Sequence, residues 1–474
     1  MKIRLFRKTF FTLLAIGSWL FGSAQQQSDS LFSYLEIAAK HNPTVQQRYL
    51  EFGAALQKIP QVGSLPDPTV SLGIFLKPME QIAGNQVADL RLMQDFPWFG
   101  QIRYAKDEMS LMAKAKSELF RDAQLQVYYD VQRSWYELHK IKQNIRISNK
   151  NIALLQTIER LSIIRFKAVP SGNSPSASAT AIPSPSAQGA ASGSSGMNTM
   201  GGASTTANQS ASPMPAAPMG SASGSSGLSD VYRIQIEIGD LQNNIALLKN
   251  QWNTLSAQFN SYLNRPPAAV VTIPDTLIVD NAPPSIITLS DSIRNNPMLG
   301  MLQYEQQSLE SRKQMVTKMG YPMIGLGINY SVVNKSPMST SDMNGKDMIM
   351  PMVTATLPIY RKKYRAMRAE VDLLKSATAE NYKATANTLQ TDYYQAMQNY
   401  LDAQRRTKLY ADQHKLASRS LDIMIRSFAS SGSSLTDILR VRQQTLDYAY
   451  RQVEAIADFN TSIAWLKRLM AYAQ

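Results

Sequence analysis

The amino-acid sequence predicts an internally duplicated α + β membrane protein: a long-helix α-barrel continuous with a transmembrane β-barrel, four strands per protomer, for which a 12-stranded trimer is the most economical closure. Three observations lead there. The chain repeats itself, each half carries two segments that alternate with period two, and each half carries helical stretches far longer than globular domains use. His41-Asn42-Pro43 is answered by Asn295-Asn296-Pro297, and at the same spacing Pro68 meets Pro322 and Leu72-Gly73-Ile74 meets Leu326-Gly327-Ile328. Further on, Phe96-Pro97-Trp98-Phe99 meets Leu357-Pro358-Ile359-Tyr360, and Leu228-Ser229-Asp230-Val231-Tyr232-Arg233 meets Leu435-Thr436-Asp437-Ile438-Leu439-Arg440.

Residues 1–24 read as an export signal. Lys2, Arg4, Arg7 and Lys8 are basic, Phe10 to Phe21 is apolar but too short to span a bilayer, and Gly22-Ser23-Ala24 are small. No later stretch is apolar enough for a helical span, so an exported chain is expected without a transmembrane helix. The absence of cysteine excludes disulfides, thiolate metal sites and a cysteine nucleophile. Without the four basic signal residues the formal charge falls from +14 to +10, and that surplus is spread along helices without aromatic-flanked basic motifs, which argues against nucleic acid as a partner.

Residues 25–267 make the first repeat. A helical stretch from about Ser30 breaks near Asn42-Pro43 and stops at Leu65-Pro66-Asp67-Pro68. A hairpin over 68–97 follows. Val70, Leu72, Ile74 and Leu76 share one face of its first strand, with Thr69, Ser71 and Gly73 on the other; Ala88, Leu90 and Leu92 oppose Asp89 and Arg91 in the second. This alternation fits a membrane strand, lipid on one side and water on the other, and equally a half-buried strand of a soluble sheet. The second copy favours the membrane, because Ile324, Leu326 and Ile328 fall in phase with Val70, Leu72 and Ile74. Long helices are expected at 98–167 and 228–264. Residues 268–285 are a linker, and 286–474 are the second repeat, with a hairpin at 321–358 and helices at 360–428 and 433–472. Apolar residues at three-four spacing mark the packed stripes: Leu138, Ile141, Ile145, Ser148, Ile152, Leu155; Ile234, Ile238, Leu241, Ile245; and Val441, Thr445, Tyr448, Gln452, Ile456. Four strands cannot close a barrel, and open strand edges are forbidden in lipid, so closure requires other copies of the chain. A trimer is the most economical solution, and a rod of helices continuous with a barrel makes a conduit.

Between residues 168 and 227 there is no charged and no aromatic side chain, whereas the matching turn, Ala429 to Ser434, is short. This composition cannot bury a core, and the insertion is expected to be disordered.

The Leu-Pro-Asp-Pro run before the first strand, Gln94-Asp95-Phe96-Pro97-Trp98-Phe99-Gly100 after the second, the twin Asn-Pro helix starts and Gly432-Ser433-Ser434-Leu435-Thr436-Asp437-Ile438-Leu439 together resemble the TolC-like outer-membrane efflux factors of Gram-negative bacteria. The likeness covers the whole mature chain. It implies a homotrimer in the outer membrane with its helical body in the periplasm, docked by its tip to a periplasmic adaptor (membrane fusion protein) and served by an inner-membrane RND-type pump, with no cofactor. It implies a periplasmic gate at Asp437, where Arg440 replaces the family's second acid, with Asp230 and Arg233 repeating the pair. It also places adaptor contacts at Arg165, Phe166, Arg426, Phe428 and Gly432. A purely structural role for Asp437 is a helix cap or first-turn carboxylate, and for Gly432 a turn glycine.

Methionine is the clue to cargo. Of 23 methionines, Met197, Met200, Met214 and Met219 fall in the insertion, and Met338, Met343, Met348, Met350 and Met352 in the second outer hairpin. If Ile349, Pro351 and Val353 face lipid, Met348, Met350 and Met352 face the lumen. Thioethers are soft neutral ligands suited to Cu(I) and Ag(I), although methionine also serves as a pliable filler. The Phe-Pro-Trp-Phe-Gly run resembles the heavy-metal (CusC/CzcC-type) branch, implying export of such ions. His41, His139 and His414 read as solvated helix residues. No phosphate-binding glycine loop, histidine pair or nucleophile elbow is present, so an enzyme is not expected. Alternatives are export of organic drugs, type I protein secretion, or a soluble periplasmic coiled-coil scaffold with the hairpins as docking tips.

Overall fold

The computed structural model describes residues 31–168, 226–277, 290–429 and 434–472. In chain order these form α1 (Leu31–His41), α2 (Pro43–Gly63), β1 (Thr69–Gln81), β2 (Gly84–Phe96), α3 (Gln101–Ala168) and α4 (Ser226–Tyr262). A 3-10 turn (Ser290–Asn295) then leads into α5 (Pro297–Met319), β3 (Met323–Asn334), β4 (Met348–Thr356), α6 (Arg361–Ala429) and α7 (Leu435–Leu469). The signal segment, the insertion with Met197, Met200, Met214 and Met219, and Gly432 lie outside the described residues. Among the described residues no helix is long and apolar enough to cross a membrane.

Two continuous helices organise everything else. α3 has 68 residues and α6 has 69, each roughly 100 Å at 1.5 Å per residue. The other helices are shorter, from 11 to 37 residues, and cover them in relay. α2 and α5 lie along the first part of α3, where Glu51 pairs with Lys116 and the Ser308 hydroxyl donates to the Glu108 carbonyl. α4 takes over the second part. α5 also borders the start of α6 through Lys375–Glu310 and Lys313–Asp372, and α7 covers its remainder through Arg406–Asp458.

The relay changes over at two asparagines. Asn42 caps α2 by accepting from the Thr44 and Val45 amides, and its Nδ2 donates 2.8 Å to the Tyr262 carbonyl at the end of α4. Asn296 caps α5 by accepting from the Met298 amide, and its Nδ2 donates 2.9 Å to the Leu469 carbonyl at the end of α7. A side chain that satisfies one helix's first amides and another helix's last carbonyl joins two ends that would otherwise be left orphaned. Proline at the next position costs nothing, because its missing N–H has no partner there anyway. Each covering helix ends in a left-handed residue, Asn264 (φ 54) and Ala471 (φ 50), with Arg265 N–H returning to Asn260 O and Tyr472 N–H to Lys467 O. Around these joints sit the aromatic cores: Tyr34, Trp135 and Phe259 in the first half, Tyr393, Tyr400 and Phe459 in the second.

The four strands form one antiparallel sheet in the order β1-β2-β3-β4, and β1 and β4 have no outer neighbour among the described residues. β1 runs beyond Lys77 to Gln81. Pro78, which cannot donate to a ladder, is absorbed by a register shift between Ile74 and Met79 on this edge strand.

His139 is not solvated: it is 2% exposed, and neither ring nitrogen has a hydrogen-bond partner among the described residues. Burial and the nearby Lys142 hold its pKa down at about 4. The apolar spacing hid this, because a neutral imidazole fits a helix interface as a flat half-apolar side chain. In the lower part of α7 the buried stripe is Ile438, Arg442, Leu446 and Ala449, one step from the expected Val441-Thr445-Tyr448. A charged residue occupies the centre of that stripe, which no hydrophobic pattern anticipates.

Candidate functional site: the sheet faces and the helical tips

Residues opposite one another in an antiparallel ladder share a face, so the register fixes the chemistry of each side of the sheet. Val70 pairs with Leu92, Leu92 with Ile328, and Ile328 with Pro351; Leu72 pairs with Leu90, Leu90 with Tyr330, and Tyr330 with Ile349. These rows make one face apolar across all four strands. Its side chains are open: Val70 is 65% exposed, Ile74 68% and Val353 74%.

The opposite face carries Thr69, Ser71, Asp89, Arg91, Asp95, Asn329 and Ser331. Met348 pairs with Ser331, Met350 with Asn329, and Met352 with Gly327, so all three methionines stand on this polar face, opposite Ile349, Pro351 and Val353. Met93, which the sequence reading did not single out, is on the same row: it pairs with Gly327, whose other neighbour is Met352. A Cβ at Gly327 would lie 2.8 Å from the Leu92 carbonyl oxygen, so the position stays bare between two thioethers. The Met93 sulfur also accepts from the Thr354 hydroxyl at 3.7 Å. Only strand pairing reveals Met93, because β2 is far from β4 in sequence. Met338 and Met343 lie between β3 and β4, 87% and 50% exposed.

At the other end of the long helices, Asp230 and Arg233 sit near the start of α4, and Asp437 and Arg440 in the opening turns of α7. Burial raises the Asp230 carboxyl, partly offset by Arg233 and Arg165. Arg233 reaches across to α7, donating 3.2 Å to the Thr436 hydroxyl beside Asp437. Asp437 is the first-turn carboxylate of α7, where the helix dipole favours it; Ser434 holds the cap position. Arg440 is exposed. Near the tip the halves are joined by the buried Arg442 guanidinium, 1% exposed, which donates to Glu237 of α4. Its Nε and Nη1 have no partner among the described residues, and burial lowers its pKa against the pull of Glu237. Two turns above, the Ser148 hydroxyl of α3 and the Tyr450 hydroxyl of α7 share a 2.5 Å hydrogen bond.

Of the expected docking residues, Arg165, Phe166 and Arg426 are exposed at the ends of α3 and α6. Phe428 is not presented: it is 4% exposed and lies under the Arg165 guanidinium, 5.0 Å from ring to cation. Four packed elements meet there, with Leu155, Ile234, Leu421 and Ile438 in one core, and the last large apolar residue of α6 closes it. Among the described residues no group of three or more His, Asp or Glu side chains could hold a metal ion.

No protein-family model and no curated protein matches the chain. Solved structures do. The outer-membrane channel OprN superposes with a TM-score of 0.68 at 12% identity, over 94% of this chain and 90% of that one. The outer-membrane protein VceC of Vibrio cholerae gives 0.65 at 11%, over 93% and 95%. CusC, described as forming a transmembrane channel, gives 0.61 at 12%, over 94% and 92%. At such identities the likeness establishes the fold, four antiparallel strands on a long-helix body. CusC fits no more closely than OprN, so the fold does not single out the heavy-metal branch.

Proposed function

We propose that the chain is the outer-membrane channel of a tripartite export system, a passive homotrimeric conduit with its helices in the periplasm. One observation carries this reading: a sheet with an exposed apolar face and two edges unpaired among the described residues, mounted on helices roughly 100 Å long. In water such edges invite aggregation; in lipid they must be paired, and copies of the same sheet are the natural partners. Strands of 9 to 13 residues also suit a tilted membrane crossing. The test is direct. Purified protein should run as a trimer in detergent and conduct ions across planar bilayers. A monomer that washes off membranes in carbonate and conducts nothing supports the soluble scaffold instead.

Within that reading, the tip is the gate and docking end. Asp230, Arg233, Asp437 and Arg440 line the constriction. Arg165, Phe166 and Arg426, together with Gly432, meet the periplasmic adaptor that links the channel to an RND-type pump, while Phe428 supports the first three from beneath. For cargo we favour Cu(I) or Ag(I). Met93, Met348, Met350 and Met352 share the face opposite the apolar one, so a trimer lines its lumen with soft neutral ligands that bind and release such ions. Met338 and Met343, between β3 and β4, and Met197, Met200, Met214 and Met219, in the insertion, add further thioethers of the same chemistry. Leucine at Met93, Met348, Met350 and Met352 should lower copper and silver tolerance of a strain lacking other exporters while leaving trimers intact. Unchanged tolerance would leave organic-molecule export or protein secretion as the role.

A further inference from the structure

Where the strands pass into the helices, the apolar face of the sheet does not simply end. It opens into a groove of about 440 Å³ walled by Leu65, Phe96, Trp98, Phe99, Ile324 and Leu326. Phe96, Ile324 and Leu326 belong to both surfaces, so the groove continues the apolar face past Gln94, the polar residue paired with Leu326. Phe99 is 84% exposed at its mouth. Trp98 stacks on Tyr321 (5.3 Å, 13°), fixing the wall between the end of β2 and the start of β3.

Positive charge collects beside this wall. The Lys318 ammonium lies 5.5 Å above the Tyr321 ring, and its Cε is 3.8 Å from where a Cβ on Gly100, another groove residue, would sit. Tyr364, in the first turns of α6, approaches Gly320 beside Tyr321, which brings the exposed Arg361, Lys362 and Lys363 to the same level. None of these four cations forms an ion pair among the described residues, although many others on the helices do. Three of them occupy the first turn of α6, which has no acidic residue. A helix start repels cations, so their placement there is unfavourable to the helix itself and calls for an external anion.

We propose that this groove binds one acyl chain of an anionic diacyl phospholipid of the inner leaflet, with its phosphate held by Lys318 and the Arg361-Lys362-Lys363 cluster. The proposal rests on the membrane reading above. A membrane-facing position suits the aromatic residues, whose amphipathic rings favour the interface, and the cations add selectivity for negative headgroups.

The test uses the detergent-purified trimer, titrated with phosphatidylglycerol or phosphatidylethanolamine of identical chains and read by native mass spectrometry. Oligomeric state and bilayer conductance are measured on the same samples. Phosphatidylglycerol should be retained at least tenfold better. The quadruple variant K318Q/R361Q/K362Q/K363Q should abolish that preference, and Leu65→Trp should reduce retention of both lipids by filling the groove. Removing three distant charges (Lys150→Gln, Lys249→Gln, Lys415→Gln) should leave the preference intact. Equal retention of the two lipids by a conducting trimer, or a preference that survives the quadruple variant, overturns the lipid site and leaves the channel standing. A protein that neither assembles nor conducts overturns the channel reading, and the lipid site with it.

Discussion

The mid-body joints and the helical tips were both built from duplicated sequence, and they have fared differently. At the joints, Asn42 and Asn296 make the same bonds in both halves: a cap on the incoming helix and a link to the carbonyl of the outgoing one. At the tips, the repeated Asp-x-x-Arg pairs have parted. Arg233 crosses to Thr436, while its counterpart Arg440 is exposed, and the buried link is made by Arg442 to Glu237. The lesson is geometric. The hydrogen bonds of each joint stay within its own half, so both copies can keep one solution even though α7 packs Ala457 and Ala464 into the first half's core. The tips contact each other, and two identical surfaces on one chain cannot both donate across a single seam.

The largest effect should come from the tip. Glu237→Ala strands a fully buried guanidinium and should cost about 3 kcal/mol locally. Hydrogen exchange across 435–446 should quicken, and adding Arg442→Met should restore protection. If Glu237→Ala leaves exchange unchanged, the link is not what joins the halves there.

His139 gives an effect of similar size but with a pH signature. Its pKa of about 4 in the folded chain, against an ordinary 6.5, means the folded state favours the neutral ring. Stability is full above pH 6.5 and is lost as pH falls toward 4, by about 3 kcal/mol in total. Its positional counterpart in the second half, Tyr400, carries no such charge, so His139→Leu should flatten the acid side of a melting-temperature profile.

At the joints, Asn42→Ala and Asn296→Ala should each cost about 2 kcal/mol, combining a lost cap with an orphaned carbonyl. Equal losses in thermal melts would sharpen the claim that the joints are equivalent, and a large inequality would break it. One difference between them is already visible. Ala471 holds a left-handed backbone that Asn264 tolerates better, so Ala471→Gly should stabilise by about 1 kcal/mol, whereas Asn264→Gly should change little. Smallest of all, Arg233→Ala removes one exposed hydrogen bond to Thr436 and should cost about 0.5 kcal/mol, below what a melt resolves but measurable as faster exchange at the start of α7.

Much of the architecture was readable from local pattern. Period-two alternation placed Val70, Leu72 and Ile74 on one face, and the register kept them there. The Asn-Pro pairs announced helix starts because capping is a short-range bond between neighbours in sequence. What escaped depended on distant partners. Arg442 looks like a surface residue until Glu237 arrives from α4, and Met93 looks like filler until strand pairing sets it beside Gly327 and Met352. Phe428 looked exposed because nothing in its neighbourhood shows that Arg165 covers it.

Duplication, long helices, amphipathic strands and the side of the sheet on which Met348, Met350 and Met352 stand are all written locally, because each follows from backbone periodicity and nearest-neighbour chemistry. Which charge is buried, which histidine is kept neutral, which aromatic residue is hidden and where an apolar groove meets a basic cluster emerge only when distant segments pack. Those outcomes are set by desolvation and by contacts between segments hundreds of residues apart, and neither quantity exists until the chain has folded.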